Sequence, residues 1–158
     1  MFATFSPVNS SKVAYVRNHN IYLEDVNTNM VISFTTDGSN DIINGTFDWV
    51  YEEEFQMRNG FRLILFFNST LLFVNFHFIR WSPDGAHIAF WQINQNDVPV
   101  MNLINNTDSL YATLIPIHYP KTGQTNPSAR VGVVFIAERS IQWLNIEGDT
   151  RNNYIGDN

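Results

Sequence analysis

Glu52, Glu53 and Glu54 are the residues of this chain best suited to chemistry. They follow two large aromatics and precede a third in the string Asp48-Trp49-Val50-Tyr51-Glu52-Glu53-Glu54-Phe55. Two anions about 4 Å apart repel by about 1 kcal/mol in water and about 4 kcal/mol at an effective dielectric of 20, so carboxylates gathered in a cleft require a cation. A small amine is the simplest candidate. Acidic runs are also common as solvated loops, and from residue types alone both readings stand. The flanking aromatics indicate a braced segment. Neighbouring side chains diverge by about 100° on a helix and to opposite faces on a strand, so Glu53 and Glu54 can meet one nitrogen only from a helical or irregular turn. Glu52 is assigned to solvent or structure, and Trp49 and Tyr51 to packing of the segment.

The rest of the chain offers no catalytic motif. It contains no Gly-x-Ser-x-Gly nucleophile elbow and no His-Glu-x-x-His metal motif. His19 and His87 fall at strand turns, His77 in an apolar stretch and His118 before Tyr119-Pro120, and all four are read as structural. No catalytic residue, metal or other cofactor is therefore expected. With no cysteine, disulfides and thiolate metal sites are excluded. A net charge of −6 without a basic stripe argues against nucleic acid as a partner. An apolar content of 44% with only 15% charged residues describes a packed globular chain of single-domain size. The first residues, Met1 to Pro7, lack the charged and apolar regions of a signal peptide, which leaves the compartment open. Asn-x-Ser/Thr sequons stand at Asn9, Asn44, Asn68 and Asn105 and matter only in a eukaryotic secretory context.

The elements that must carry the acidic segment read as short strands. Lys12–Val16 and Ile21–Leu23 flank a turn-rich tetrapeptide, and Met30–Phe34 follows the turn Asn27-Thr28-Asn29. This three-stranded antiparallel meander has the character of a β-propeller blade. Phe5-Ser6-Pro7 followed by Val13-Ala14-Tyr15 recurs as Trp81-Ser82-Pro83 followed by Ile88-Ala89-Phe90. In each copy the aromatic is expected to pack between blades, the proline to end a strand where an N–H is dispensable, and a polar turn such as Asp84-Gly85 to reverse the chain. Further on, Val100–Ile104 reads as the partner of the strand Ala86–Ile93. Ala129–Ile136 and Ile141–Ile146 read as a hairpin.

The string Asp48-Trp49-Val50-Tyr51-Glu52-Glu53-Glu54 resembles the glutamate motif of the dipeptidyl peptidase IV branch of the prolyl oligopeptidase family of serine peptidases. Trp81-Ser82-Pro83-Asp84-Gly85, Tyr119-Pro120-Lys121-Thr122-Gly123 and the stretch from Trp143 to Ile155 are similar to the same family. The resemblance implies an all-β fold, a partial β-propeller of about two to three blades within residues 1–158, with a glutamate-bearing arm over residues 44–61. It implies that Glu53 and Glu54 hold the free amino terminus of peptide substrates, and that the parent is an exopeptidase releasing N-terminal dipeptides. The missing blades and an α/β-hydrolase domain would be the parent's other parts. Family members are often dimeric, and commonly secreted, periplasmic or membrane-anchored. This chain alone is expected to be inactive. A non-enzymatic propeller module that binds proteins is the alternative.

The two aromatic-Ser-Pro copies lie further apart than one propeller repeat of roughly 40 to 50 residues. Part of the excess is the arm. The rest is Arg62–Ile79, reading RLILFFNSTLLFVNFHFI, which separates Arg58-Asn59-Gly60-Phe61 from Arg80-Trp81 where the family typically runs on directly. A membrane helix needs about 20 mostly apolar residues, and Asn68, Ser69, Thr70, Asn75 and His77 interrupt this run. An added hairpin, Leu63–Phe67 turning into Leu71–Val74, fits the β-propensity. The clean break favours translated non-coding sequence, such as a retained intron, over both.

Overall fold

Runs of β-branched and aromatic residues separated by turn residues build each sheet. The computed structural model describes residues 3–55, 61–62, 64–67, 70–73 and 80–155, with side chains over 3–55 and 81–155. The first sheet is an antiparallel meander of β1 (Ala3–Phe5), β2 (Lys12–Arg17), β3 (Asn20–Asp25) and β4 (Met30–Ser33). Asn18 and His19, at φ 49° and 57°, form the two-residue turn between β2 and β3, a left-handed pair whose twist suits a hairpin. The expected three-stranded unit thus has a fourth strand. Ala3–Phe5 pairs with Val13–Tyr15, and at three residues it is too short to show an alternating pattern.

The second sheet centres on β10 (His87–Asn94). One edge of β10 carries β13 (Ser128–Phe135), followed by β14 (Ser140–Trp143). Its other edge is shared by two fragments. β5 (Ile42–Asn44) pairs with Gln92–Asn94, and β6 (Phe61–Arg62) pairs with Ala89 and Phe90. The chain therefore leaves this edge after Asn44 and is back on it at Phe61. The helix α1 (Trp49–Glu53) lies in between.

β7 (Ile64–Phe67) and β8 (Thr70–Phe73) form a two-stranded antiparallel sheet of their own within the apolar insert. Arg58-Asn59-Gly60, Asn68-Ser69 and Val74–Ile79, with His77, lie outside the described residues. Among the described residues no helix is long and apolar enough to cross a membrane. β9 (Arg80–Trp81) leads into the turn before β10.

β11 (Val100–Asn105) and β12 (Thr113–His118) also form a separate hairpin. This overturns the expectation that Val100–Ile104 pairs with Ala86–Ile93. Both edges of β10 are already occupied, by β5 and β6 on one side and β13 on the other, so β11 finds its partner locally.

Alternation along β10 divides its side chains between two cores. Ile88 and Phe90 join Ala14, Val16, Ile21 and Leu23 of the first sheet, with Trp81 and Val134. Trp91 and Ile93 on the opposite face join Ile43, Phe47, Tyr51, Ala129 and Val131. Gln92, in the row of Ile88 and Phe90, is buried but polar.

The two aromatic-Ser-Pro turns share a backbone hydrogen-bond pattern and touch each other, but only Trp81 is buried as expected of both aromatics, whereas Phe5 is exposed. Ser6 N donates to Lys12 O at 2.8 Å, and Ser82 N donates to His87 O at 2.9 Å. Trp81 Nε1 donates across the sheets to Thr4 O at 3.3 Å. Gly85 has φ +68°, and a Cβ there would overlap Val8 Cγ2 and crowd Ser6 Oγ. Gly85→Ala is therefore expected to destabilise the fold by about 1–3 kcal/mol, through strain at positive φ and overpacking between the sheets. In a thermal melt of a chain of this size, that lowers Tm by about 2–4 °C per kcal/mol.

Candidate functional site

Helix α1 is only five residues long and would not persist in isolation. Its first turn is closed by Asp48, which has extended backbone (φ −80°, ψ 179°) and whose carboxylate accepts from Tyr51 N at 3.0 Å. That is the geometry of an acidic N-cap, worth about 1 kcal/mol over alanine. The ladder continues with Glu52 N donating to Asp48 O at 3.0 Å and Glu54 N donating to Val50 O at 2.9 Å. Asp48 itself is buried, and burial raises its carboxyl above the ordinary Asp range; the bond from Tyr51 N offsets this in part.

Tyr51 anchors the helix. It is 2% exposed, and its ring stacks on Phe47 at 5.2 Å and lies within ring-contact distance of Trp91, Phe55 and Tyr154. Its hydroxyl accepts from Ile155 N at 3.0 Å. Burial, and secondarily the charge of Asp48, raise the Tyr154 phenol above its ordinary value. Trp49, the other aromatic of the string, packs edge-on against Tyr119 at 4.8 Å.

Glu52, Glu53 and Glu54 are all exposed, and among the described residues none has a hydrogen-bonding or ion-pair partner for its carboxylate. The structure places Glu53 at the last position of α1 and Glu54 at its C-cap, with helical φ and ψ. Both carboxylates therefore stand on a helical turn.

The strand that launches the arm is fixed by a polar network, buried at Asn44 and Gln92 and exposed at Asp37 and Arg130, that pairs residues far apart in the chain. Asn44, 0% exposed, donates from Nδ2 to His19 O at 3.0 Å and to Asp37 Oδ1 at 2.9 Å. Gln92 Nε2 donates to Asn44 Oδ1 at 2.8 Å and to Asp37 Oδ2 at 2.9 Å. Arg130 Nε donates to Gln92 Oε1 at 2.7 Å, and the guanidinium lies 3.6 Å above the Trp143 ring. Burial lowers the Arg130 pKa, while Asp37 pulls it back up. At the exit, Gly45 takes φ +74° and donates to Trp91 O at 2.8 Å.

A cleft of about 620 Å³ opens at the base of the arm, lined by Asp41, Phe47, Asp48 and Trp49 on one side and Ile117 and His118 on the other. His118 Nδ1 lies 3.0 Å from Val98 O, and Nε2 faces Asp41 Oδ1 at 3.2 Å. Glu53 and Glu54 are not among the lining residues. No group of three or more acidic or histidine side chains among the described residues is arranged to hold a metal ion.

Paired antiparallel sheets, with an acidic arm leaving the second between β5 and β6, define a part of a β-propeller. The chain belongs to the dipeptidyl peptidase IV N-terminal region family, whose model matches residues 1–63 and 72–158. The prolyl endopeptidase FAP of Mus musculus is 35% identical over 134 residues, covering 84% of this chain and 15% of its own length. A probable dipeptidyl peptidase 4 of Aspergillus flavus is 31% identical over 151 residues, or 92% of this chain and 17% of its own length. The crystal structure of Porphyromonas gingivalis dipeptidyl peptidase 4 superposes with a TM-score of 0.75 at 31% identity, covering 96% of this chain and 19% of that one. The chain thus spans less than a fifth of each of these relatives. The interruption in the family match, residues 64–71, falls inside the apolar insert.

Asp48→Ala should cost about 1 kcal/mol in denaturant unfolding, whereas Asp48→Asn keeps a capping oxygen and should lose less. The pH dependence has a definite sign. The folded-state pKa of Asp48 is raised, so the folded chain holds that proton more tightly than the unfolded one. Wild type should lose stability relative to Asp48→Asn as pH rises from the ordinary Asp value of 3.8 through the raised folded value. Parallel unfolding curves of the two proteins across that window are the check.

Proposed function

We propose that Glu53 and Glu54 bind the protonated amino terminus of peptide substrates, as the recognition part of a dipeptidyl-peptidase-IV-like serine exopeptidase that releases N-terminal dipeptides. The observation that carries this reading is the mounting of the two carboxylates. They are exposed on a helical turn that Tyr51 locks into the core. An α-amino group with a pKa near 7.7–8.0 is largely protonated at neutral pH, and adjacent carboxylates raise its pKa further. Charge-assisted hydrogen bonds to both glutamates would fix that nitrogen. A fixed amine sets how many residues extend toward a nucleophile and so acts as a ruler for dipeptide release. The nucleophile, its Asp and His partners and the remaining blades would come from other parts of the parent.

Titration of this chain with Gly-Pro and with N-acetyl-Gly-Pro, followed by NMR, tests the reading. The free dipeptide should bind and the acetylated one should not. Each charged hydrogen bond is worth ~1.5–3 kcal/mol, so Glu53→Gln with Glu54→Gln should weaken Gly-Pro binding by about tenfold or more. Equal binding of the two dipeptides would overturn the proposal.

A second copy of the chain is the further partner we propose. The β11–β12 hairpin and its loop carry exposed Ile104, Leu110, Tyr111 and Leu114, at 66%, 92%, 81% and 64% exposure, which supports self-association through an apolar patch. Leu110→Ser with Tyr111→Ser should shift the sedimentation profile toward monomer. An unchanged profile would count against this interface.

A further inference from the structure

Glu53 and Glu54 stand on a helix too short to hold itself, so whatever restrains α1 also sets the separation of the two carboxylates. Three observations converge on residues 149–155, which follow the second sheet. The tip of this segment reaches the arm. Ile155 N donates to the Tyr51 hydroxyl, and the Tyr154 ring lies 5.6 Å from that of Tyr51 and 5.1 Å from that of Phe55. Tyr51 and Phe55 bracket the three glutamates in sequence and touch each other on one face of the turn, and Tyr154 packs against that face.

The base of the segment is tied down independently. Arg151 N and Asn152 Nδ2 donate to the Asp149 carboxylate, and Asn152 N and Asn153 N donate to Asp149 O, which makes a compact turn. Ala129 N donates to Thr150 O at 3.0 Å, joining that turn to the start of β13. Arg151 Nη1 donates to Asn126 O at 2.7 Å, and Nη2 lies 3.7 Å from Asp97 Oδ2.

We infer that residues 149–155 are a latch for the glutamate arm, and that Tyr51 and Tyr154 are positioning residues for Glu53 and Glu54. The inference rests on the amine-binding reading of those glutamates and goes beyond it. Amine binding then depends on a segment about a hundred residues downstream of Tyr51. Asp48 closes the N-terminal end of α1 and the latch restrains its C-terminal end.

The test uses the whole chain with Gly-Pro as the probe and N-acetyl-Gly-Pro as its control. Tyr154→Ala should weaken Gly-Pro binding about fivefold or more while retaining both glutamates. It should also speed hydrogen exchange of the amides of residues 52–55 without changing exchange in β2 and β3. Tyr51→Phe keeps the ring and removes the hydroxyl that accepts from Ile155 N, and should weaken binding about two- to threefold. Should Tyr154→Ala disturb β2 and β3 as well, Tyr51→Phe decides alone. Unchanged Gly-Pro affinity in the deciding variant overturns the latch even if exchange of residues 52–55 becomes faster. The two ideas fail differently. Loss of binding in the glutamate variants with none in the tyrosine variants sinks the latch alone, whereas glutamate variants that bind Gly-Pro as wild type sink the amine reading and the latch with it.

Discussion

The rest of the structure depends on how β10 divides its surroundings. Its two edges are filled by backbone hydrogen bonds, and its two rows of side chains serve different masters. Ile88 and Phe90 fasten the second sheet to the first, while Trp91 and Ile93 receive the aromatic base of the arm. One edge is shared by β5 and β6, so the chain makes its excursion without leaving that edge empty. A buried strand cannot tolerate an unpaired edge, because orphaned backbone donors and acceptors are costly. The arm is thus a detour inserted into a ladder that is otherwise continuous.

Two kinds of restraint hold the detour, and they act at different points. At its root, buried Asn44 and Gln92 exchange directional hydrogen bonds with each other and with the exposed Asp37 and Arg130. Such a network specifies one geometry when it is fully satisfied, and stripping the partners from Asn44 or Gln92 would leave a buried amide to bear its desolvation cost. At the helix itself the restraint is aromatic. Ring contacts around Tyr51 are each worth ~0.5–1.5 kcal/mol beyond area burial and are more tolerant of small shifts. A rigid root and a more compliant tip suit a segment that has to present charged groups to solvent.

Much of this was legible in the residues. The strands Lys12–Val16 and Ile21–Leu23 and the hairpin after Ala129 declared themselves through β-propensity and turn chemistry. The recurrence of Phe5-Ser6-Pro7 as Trp81-Ser82-Pro83 predicted the two turns that now lie against one another. Other features left little local trace. β11 was assigned to β10 because alternation reveals that a strand exists and not which edge is vacant. The capping role of Asp48 went unread, because a five-residue helix is too short for periodicity to announce it. The pairing of Gln92 with Asp37 and the reach of Ile155 to Tyr51 join residues whose types are ordinary and whose partnership exists only once the sheets are stacked.

The burial of Asn44 bears on covalent modification as well as on packing. Asn44-Gly45-Thr46 satisfies the acceptor sequence for an N-linked glycan. An N-glycosidic linkage replaces one of the two protons on Nδ2, and in the folded chain those protons are committed to His19 O and Asp37 Oδ1. A sugar at this nitrogen and a closed second sheet are mutually exclusive. In any compartment that attaches such sugars, closure of β5 onto β10 and the transferase would compete for the same atom, and a molecule glycosylated first could not seat the strand from which its glutamate arm departs.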